Sequence, residues 1–140
     1  MSQPVLVDTN VLMDVLTQRQ PHCDASVAVW TAVYRRKLIG WVSADSFSTL
    51  YYLLRKMSNH TEAHRGIRKV CEIFEITPMD AALIGQALNS PLDDFEDAIQ
   101  HECALRVKAT AIITRDTRHF RNASIPAVTP EDFAKKFNLT

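Results

Sequence analysis

Aliphatic and β-branched residues gather into short runs from Val5 to Asp8, Ile39 to Ser43, Ile73 to Thr77 and Ala111 to Thr114, with stretches of helical periodicity between them. The apolar spacing predicts helices over about Val11 to Thr17, Asp24 to Lys37, Asp45 to Lys56, Glu62 to Glu72, Ala81 to Asn89, Asp93 to Lys108 and Pro130 to Phe137. Strands that alternate with helices require crossover connections, which imply a parallel sheet covered by helices on both faces. The expected fold class is therefore α/β, three layers deep, with a central parallel sheet of about four to five strands.

Local signals sharpen two helix starts. Thr129 precedes Pro130, Glu131 and Asp132, an N-cap followed by proline in the first turn and two acids that favour the helix dipole. Ser43 or Asp45 is able to cap the helix after the second strand.

Composition narrows the classes without choosing among them. The 140 residues match a single domain, 1–140, whose 46% apolar and 23% charged content is that of an ordinary globular protein. Sixteen basic and sixteen acidic residues cancel, so contact with nucleic acid must be local. The three cysteines lack a CxxC spacing, which argues against a disulfide framework or a structural zinc site and fits a reducing compartment. With no apolar run of about 18 residues and no leader-like start, the expected location is cytoplasmic, without membrane contact. Three scattered glycines exclude the common phosphate-cradling loops.

Candidate chemistry lies in the acids. Asp8 ends the first apolar run and Asp116 follows the last, so both should project from the carboxyl edge of the sheet, where open α/β folds bind ligands. Asp94 and Asp97 are three apart at the beginning of the intervening helix and are expected on one face. Carboxylates that converge repel one another and call for a cation. Hard oxygen donors select Mg²⁺ or Mn²⁺ over zinc, and such ions support phosphodiester hydrolysis. Neutralising Asp8 is expected to leave the fold intact or more stable, because repulsion is relieved.

Arg115 and Arg118, on either side of Asp116, are candidate phosphate contacts. Asp14 is expected on the outer part of the first helix, paired with Arg19 and outside the site. Asp93 and Glu96 read as first-turn acids. His101 is expected to hydrogen-bond Asp97 or touch substrate, and His22, His60 and His64 to be solvated. Trp30, Tyr34, Tyr51, Tyr52 and Phe74 occur at core-like spacing.

The stretches VLVDTNVLMDVL, SADSFSTLYYLLRK, DFEDAIQHECA, IITRD with a following HF, and IPAVTPEDF, in that order, resemble the branch of bacterial PIN domains whose middle motif reads DFEDA. The resemblance implies a three-layer α/β fold and a metal-dependent ribonuclease, in many relatives a toxin of the VapC kind neutralised by an antitoxin. It implies metal-binding and catalytic roles for Asp8, Asp97 and Asp116, with Asp94 as an additional acid of this branch. Thr9, Asn10 and Thr114 match small polar residues that hydrogen-bond those carboxylates. Relatives usually dimerise, which would make the helix around Ala28 to Tyr34 partly interfacial.

The sequence departs from the family at Thr49, where many members carry glutamate, and at His119, where relatives often carry aspartate. Asp94 is expected to restore the missing charge. Two alternatives remain: a catalytically weakened PIN fold that binds RNA or protein, favoured by Thr49, and a phosphatase of the haloacid dehalogenase type, whose second aspartate would stand where Asn10 does.

Overall fold

The computed structural model describes residues 2–139. Five parallel strands, β1 (Gln3–Val7), β2 (Leu38–Ser43), β3 (Glu75–Thr77), β4 (Ala111–Ile113) and β5 (Ala127–Val128), form one sheet in the order β3-β2-β1-β4-β5. Among the described residues, seven α-helices accompany them, α1 (Thr9–Leu16), α2 (Cys23–Tyr34), α3 (Ser46–Met57), α4 (His60–Ile73), α5 (Ala81–Leu88), α6 (Phe95–Arg106) and α7 (Pro130–Lys136), with a short 3-10 helix at Thr117–Phe120. The α/β class and the parallel sheet expected from the pattern are those of the structure.

The central strands are apolar on both sides because both sides are covered. Val5 and Val7 pack with Leu12, Val29, Leu50, Val70 and Phe133, from α1 to α4 and α7. Leu6 and Ile112 face the opposite way and pack with Leu83 of α5 and with Ile99 and Cys103 of α6. Each large side chain so buried contributes about 1.5–3 kcal/mol. The bidentate contact of Arg106 with Asp80, at 2.8 and 2.9 Å, joins the end of α6 to the start of α5. That guanidinium holds the Asp80 carboxyl down at about 2.

Several expectations change. The run from Ile73 to Thr77 is not all strand, because Ile73 is the last residue of α4 and packs on the core from the helix. The second helix stops at Tyr34 rather than Lys37, and Arg36 reverses the chain at a φ of 60°. Neither Ser43 nor Asp45 caps α3: Asp45 has helical φ and ψ and its carboxyl accepts no cap bond. Tyr34 and Tyr52 are 69% and 63% exposed, so they are not core residues, whereas Trp30 meets Phe74 edge to face at 5.0 Å. Thr129 caps α7 as the sequence predicts, accepting from the Asp132 amide at 3.1 Å. All three cysteines are free, and no helix among the described residues is long and apolar enough to cross a membrane.

Gly40 is required by close approach rather than by backbone freedom. A Cβ there would lie 2.6 Å from the Phe74 ring and 2.8 Å from Val33, and Trp30 backs that ring. Gly40→Ala is expected to lower stability by about 1–3 kcal/mol through overpacking. Gly85→Ala, in α5 with nothing within 4 Å, should raise it by about 0.5–1 kcal/mol. Urea midpoints of the two variants check both signs.

Candidate active site

β1 gives way to α1 at Asp8, whose extended backbone makes it the helix N-cap while its own amide still bonds Ile113 of β4 at 3.0 Å. Its carboxylate is saturated with donors. Oδ1 accepts from the Thr9 amide at 2.7 Å and from Gln100 Nε2 at 2.9 Å; Oδ2 accepts from Thr114 Oγ1 at 2.7 Å and from Asn10 Nδ2 at 3.1 Å. Four donors from α1, the end of β4 and α6 thus meet on one buried group. This reverses the expectation for Asp8→Asn, since an amide at that place turns an N–H toward two of the donors.

The Asn10 side chain links this carboxylate to the next. Its Nδ2 also reaches Asp116 Oδ2 at 3.3 Å, and its Oδ1 accepts from the Arg115 amide at 3.3 Å. The Asp116 amide in turn donates to Thr114 Oγ1 at 3.0 Å. Asp97, in the first turn of α6, completes the group. Burial pushes its carboxyl up to about 6, assisted by the neighbouring charges of Asp94, Asp8 and Glu96 and opposed by His119, whose Nδ1 lies 3.7 Å away.

Asp8, Asp97 and Asp116 line one cleft of about 240 Å³ at the carboxyl edge of the sheet, together with Asp45, Glu96, Arg19, His119, Thr9, Asn10, Thr49 and Gln100. Five carboxyl groups there face one arginine and one histidine. Among the described residues, no three His, Cys, Asp or Glu side chains stand close enough together to ligate one ion. The acids nevertheless suit a hard divalent cation in kind: the donors are oxygens, and five carboxyl groups are in excess over one arginine and one histidine. A larger depression of about 710 Å³ at the opposite edge is lined by Arg36, Gly40, Glu72 and Glu75 and gathers no such set.

The other sequence candidates fall elsewhere. Asp94 does not share a helical face with Asp97: it stands before α6 as the N-cap, Oδ1 accepting from the Asp97 amide at 3.0 Å, and opens onto a neighbouring depression of about 320 Å³. Arg118 lies in that depression too, and His119 borders both. Arg115 turns inward, its Nε 3.2 Å from Asp14 Oδ2. Asp14 itself is fully buried rather than on the outer face of α1, because α2 covers it: Ser26 Oγ donates to it at 3.3 Å, and Arg19 Nε is 3.9 Å from its other oxygen. His101 touches neither Asp97 nor the cleft. Its Nε2 accepts from the Ser124 amide at 3.2 Å, and burial lowers its affinity for a second proton. His60 accepts or donates a 2.6 Å hydrogen bond with Tyr51, and His22 pairs with Glu131 at 3.4 Å, so neither is merely solvated.

Gln100, Glu96, Asp45 and Arg19 also line the cleft, although the sequence pattern assigned none of them to the site. Gln100 carried a signal, a polar residue among Ala98, Ile99 and Cys103 on the buried side of a helix. Asp45 and Glu96 were masked by the ordinary role of acids at helix starts. For Arg19, no periodicity marked it.

Comparison with known proteins agrees with this geometry. The profile of the PIN domain family matches residues 4–118, a span that contains Asp8, Asp97 and Asp116. Ribonuclease VapC1 of Aquifex aeolicus is 28% identical over 142 aligned positions, covering 98% of this chain and 97% of that one. Among solved structures, VapBC2 of Rickettsia felis, bound to a DNA fragment from its promoter, superposes with a TM-score of 0.72 at 13% identity, over 91% of this chain and 98% of that one. A toxin-antitoxin complex from Klebsiella pneumoniae superposes with a TM-score of 0.67 at 21% identity, over 90% and 97%. With the family profile spanning most of its length and the fold and cleft in agreement, the chain belongs to the PIN domain family.

Proposed function

We propose that this protein is a Mg²⁺- or Mn²⁺-dependent endoribonuclease that hydrolyses RNA phosphodiester bonds and acts as the toxin of a toxin-antitoxin pair. The observation that carries the reading is the meeting of Asp8, Asp97 and Asp116 in one acid-rich cleft at the carboxyl edge of a PIN fold. Full-length similarity to a ribonuclease supports the activity, and solved relatives described as toxin-antitoxin complexes support an antitoxin partner. A homodimer and a cytoplasmic location belong to the same proposal.

The cleft acids Asp8, Asp97 and Asp116 would attract the cation, one or two of them as direct ligands and the rest through the waters it retains. When bound, it supplies positive charge for the phosphate oxygens and lowers the pKa of a water. The protein's part is orientation. Thr114, Asn10 and Gln100 set the plane of the Asp8 carboxylate, and Asn10 bridges it to Asp116. Met13 and Leu53 contribute the apolar part of the cleft wall. Asp45, one turn before Thr49 and in the same cleft, is the acid we propose offsets the glutamate missing at Thr49. The rival reading, a fold that binds without cutting, draws on that same absence.

Incubation of single-stranded RNA with Mn²⁺ tests the proposal. Asp97→Asn and Asp116→Asn should each reduce cleavage on the order of 100-fold, and a chelator should stop it. Asp94→Asn, outside the cleft and still able to cap α6, should reduce it less. Unchanged cleavage in both cleft variants would overturn the site, and RNA binding without cleavage by the parent would favour the rival.

Stability gives an independent check. The Asp97 carboxyl holds its proton more tightly in the fold, at about 6, than at the ordinary 3.8. Its favourable contribution is therefore complete below pH ~4 and is lost as pH rises through ~6. A shift of about two units corresponds to about 3 kcal/mol, which partial exposure to solvent reduces to about 1–2 kcal/mol. In chelator, Asp97→Asn should thus be more stable than the parent at pH 7 by about 1–2 kcal/mol, and the difference should vanish below pH ~4. Asp8→Asn should instead be destabilised at pH 7 by about 1–3 kcal/mol, as two donors lose their acceptor. Denaturant titrations across pH distinguish the two acids.

A further inference from the structure

Asp14 is a charged side chain with no exposure, yet it does not line the cleft. A buried carboxylate must be compensated, and Arg115 at 3.2 Å with Ser26 at 3.3 Å already supplies a cation and a hydroxyl on Oδ2. Arg19 is placed differently. Its Nε is 3.9 Å from Oδ1, beyond hydrogen-bond reach, and its side chain remains 39% exposed. Its backbone is held firmly: the Arg19 amide bonds the Asp14 carbonyl at 2.9 Å, and Gln18 reverses the chain just before it at a φ of 52°. The side chain then extends into the cleft that contains Asp8, Asp97 and Asp116, where it is the sole arginine or lysine among the described residues.

From this we infer that Arg19, steered by the buried Asp14 carboxylate, is the phosphate-binding residue of the cleft, gripping a backbone phosphate of the RNA beside the bond to be cut. The inference rests on the ribonuclease reading above. Physical chemistry favours the assignment on three counts. A guanidinium presents several N–H donors in a plane suited to phosphate oxygens, and among the described residues those on Arg19 beyond Nε have no hydrogen-bond partner. Without a cation on its rim, a cleft with five carboxyl groups repels a polyanion. Arg115, the cation that the sequence favours for this role, is ion-paired with Asp14 and does not line the cleft, and Arg118 lies in the adjoining depression. Asp14 is thus a positioning residue: it draws Arg115 inward beside Asp116 and sets the direction of Arg19 without touching substrate.

The test is binding of a fluorescent single-stranded RNA 12-mer in chelator, followed by anisotropy as salt rises from about 50 to about 200 mM. Relative to the parent, Arg19→Ala should weaken binding by about tenfold at the lowest salt. It should also reduce the slope of log affinity against log salt by about 0.7, the value for one phosphate contact on a single strand. Arg19→Lys should recover the slope and part of the affinity, a rescue that a merely structural role would not produce. Arg68→Ala, on the exposed side of α4, should change neither quantity. Asp14→Asn should weaken binding in the same direction as Arg19→Ala, provided its circular dichroism matches the parent; should it fail to fold, the two Arg19 variants carry the test alone. Parent-like affinity and slope in Arg19→Ala would overturn the inference and leave the nuclease reading standing. If the parent neither binds nor cuts RNA, the ribonuclease reading falls and this inference falls with it.

Discussion

The Asp8 carboxylate is the point on which the fold and the cleft both depend. It ends the central strand, starts the first helix, and receives donors from the end of β4 and from α6, so one group joins elements that are far apart in sequence. Hydrogen bonds to a charged acceptor are stronger than those between neutral groups, and a buried acceptor that loses them bears its full desolvation cost. The acid is therefore structural before it is chemical. Its four donors also explain how a carboxylate survives at the edge of a hydrophobic core without a cationic side chain in contact.

Charge is arranged in two tiers. Near the surface, acids crowd together, and burial, assisted by their charges, raises the proton affinity of Asp97. Beneath them, Asp14 binds arginine from the loop after β4 and approaches the arginine that follows α1. The lower tier sets where positive charge enters the upper one. A buried ion pair of this kind adds little net stability compared with apolar packing, but it specifies geometry, because each partner is costly to leave alone.

Most of the architecture was legible in the sequence, since strands covered on both faces must be continuously apolar and their helices must be amphipathic. Val5 to Val7 and Ala111 to Ile113 follow that rule, and the acids that succeed them fall at the ligand-binding edge by geometry alone. What stayed hidden were residues with two equally ordinary roles. Asp94 looked like a helix-face acid and is a cap; Asp14 looked like a surface acid and lies under α2. Nothing in a linear pattern tells which side of a short helix a later helix will cover. Arg115 misled for the same reason, because its partner is 101 positions away by number and adjacent only in the fold.

The segment after β4 begins and ends at nearly the same place. The Thr114 amide bonds the Val128 carbonyl at 3.0 Å, while Phe120 and Ile125 plug into the core and His101 grips Ser124. A chain closed at its base and pegged from inside behaves as a replaceable cassette: lengthening its exposed turn costs only a slowly growing loop entropy and leaves the sheet untouched. Because the cassette carries Asp116 at its first corner and Arg118 and His119 along its rim, a change in the length of its exposed turn would reshape one wall of the cleft while Asp8 and Asp97 stay where the sheet and α6 hold them. The pegs and the rim thus share one segment, with Phe120 and Ile125 fixing its inner side and leaving its outer turn free to differ in length.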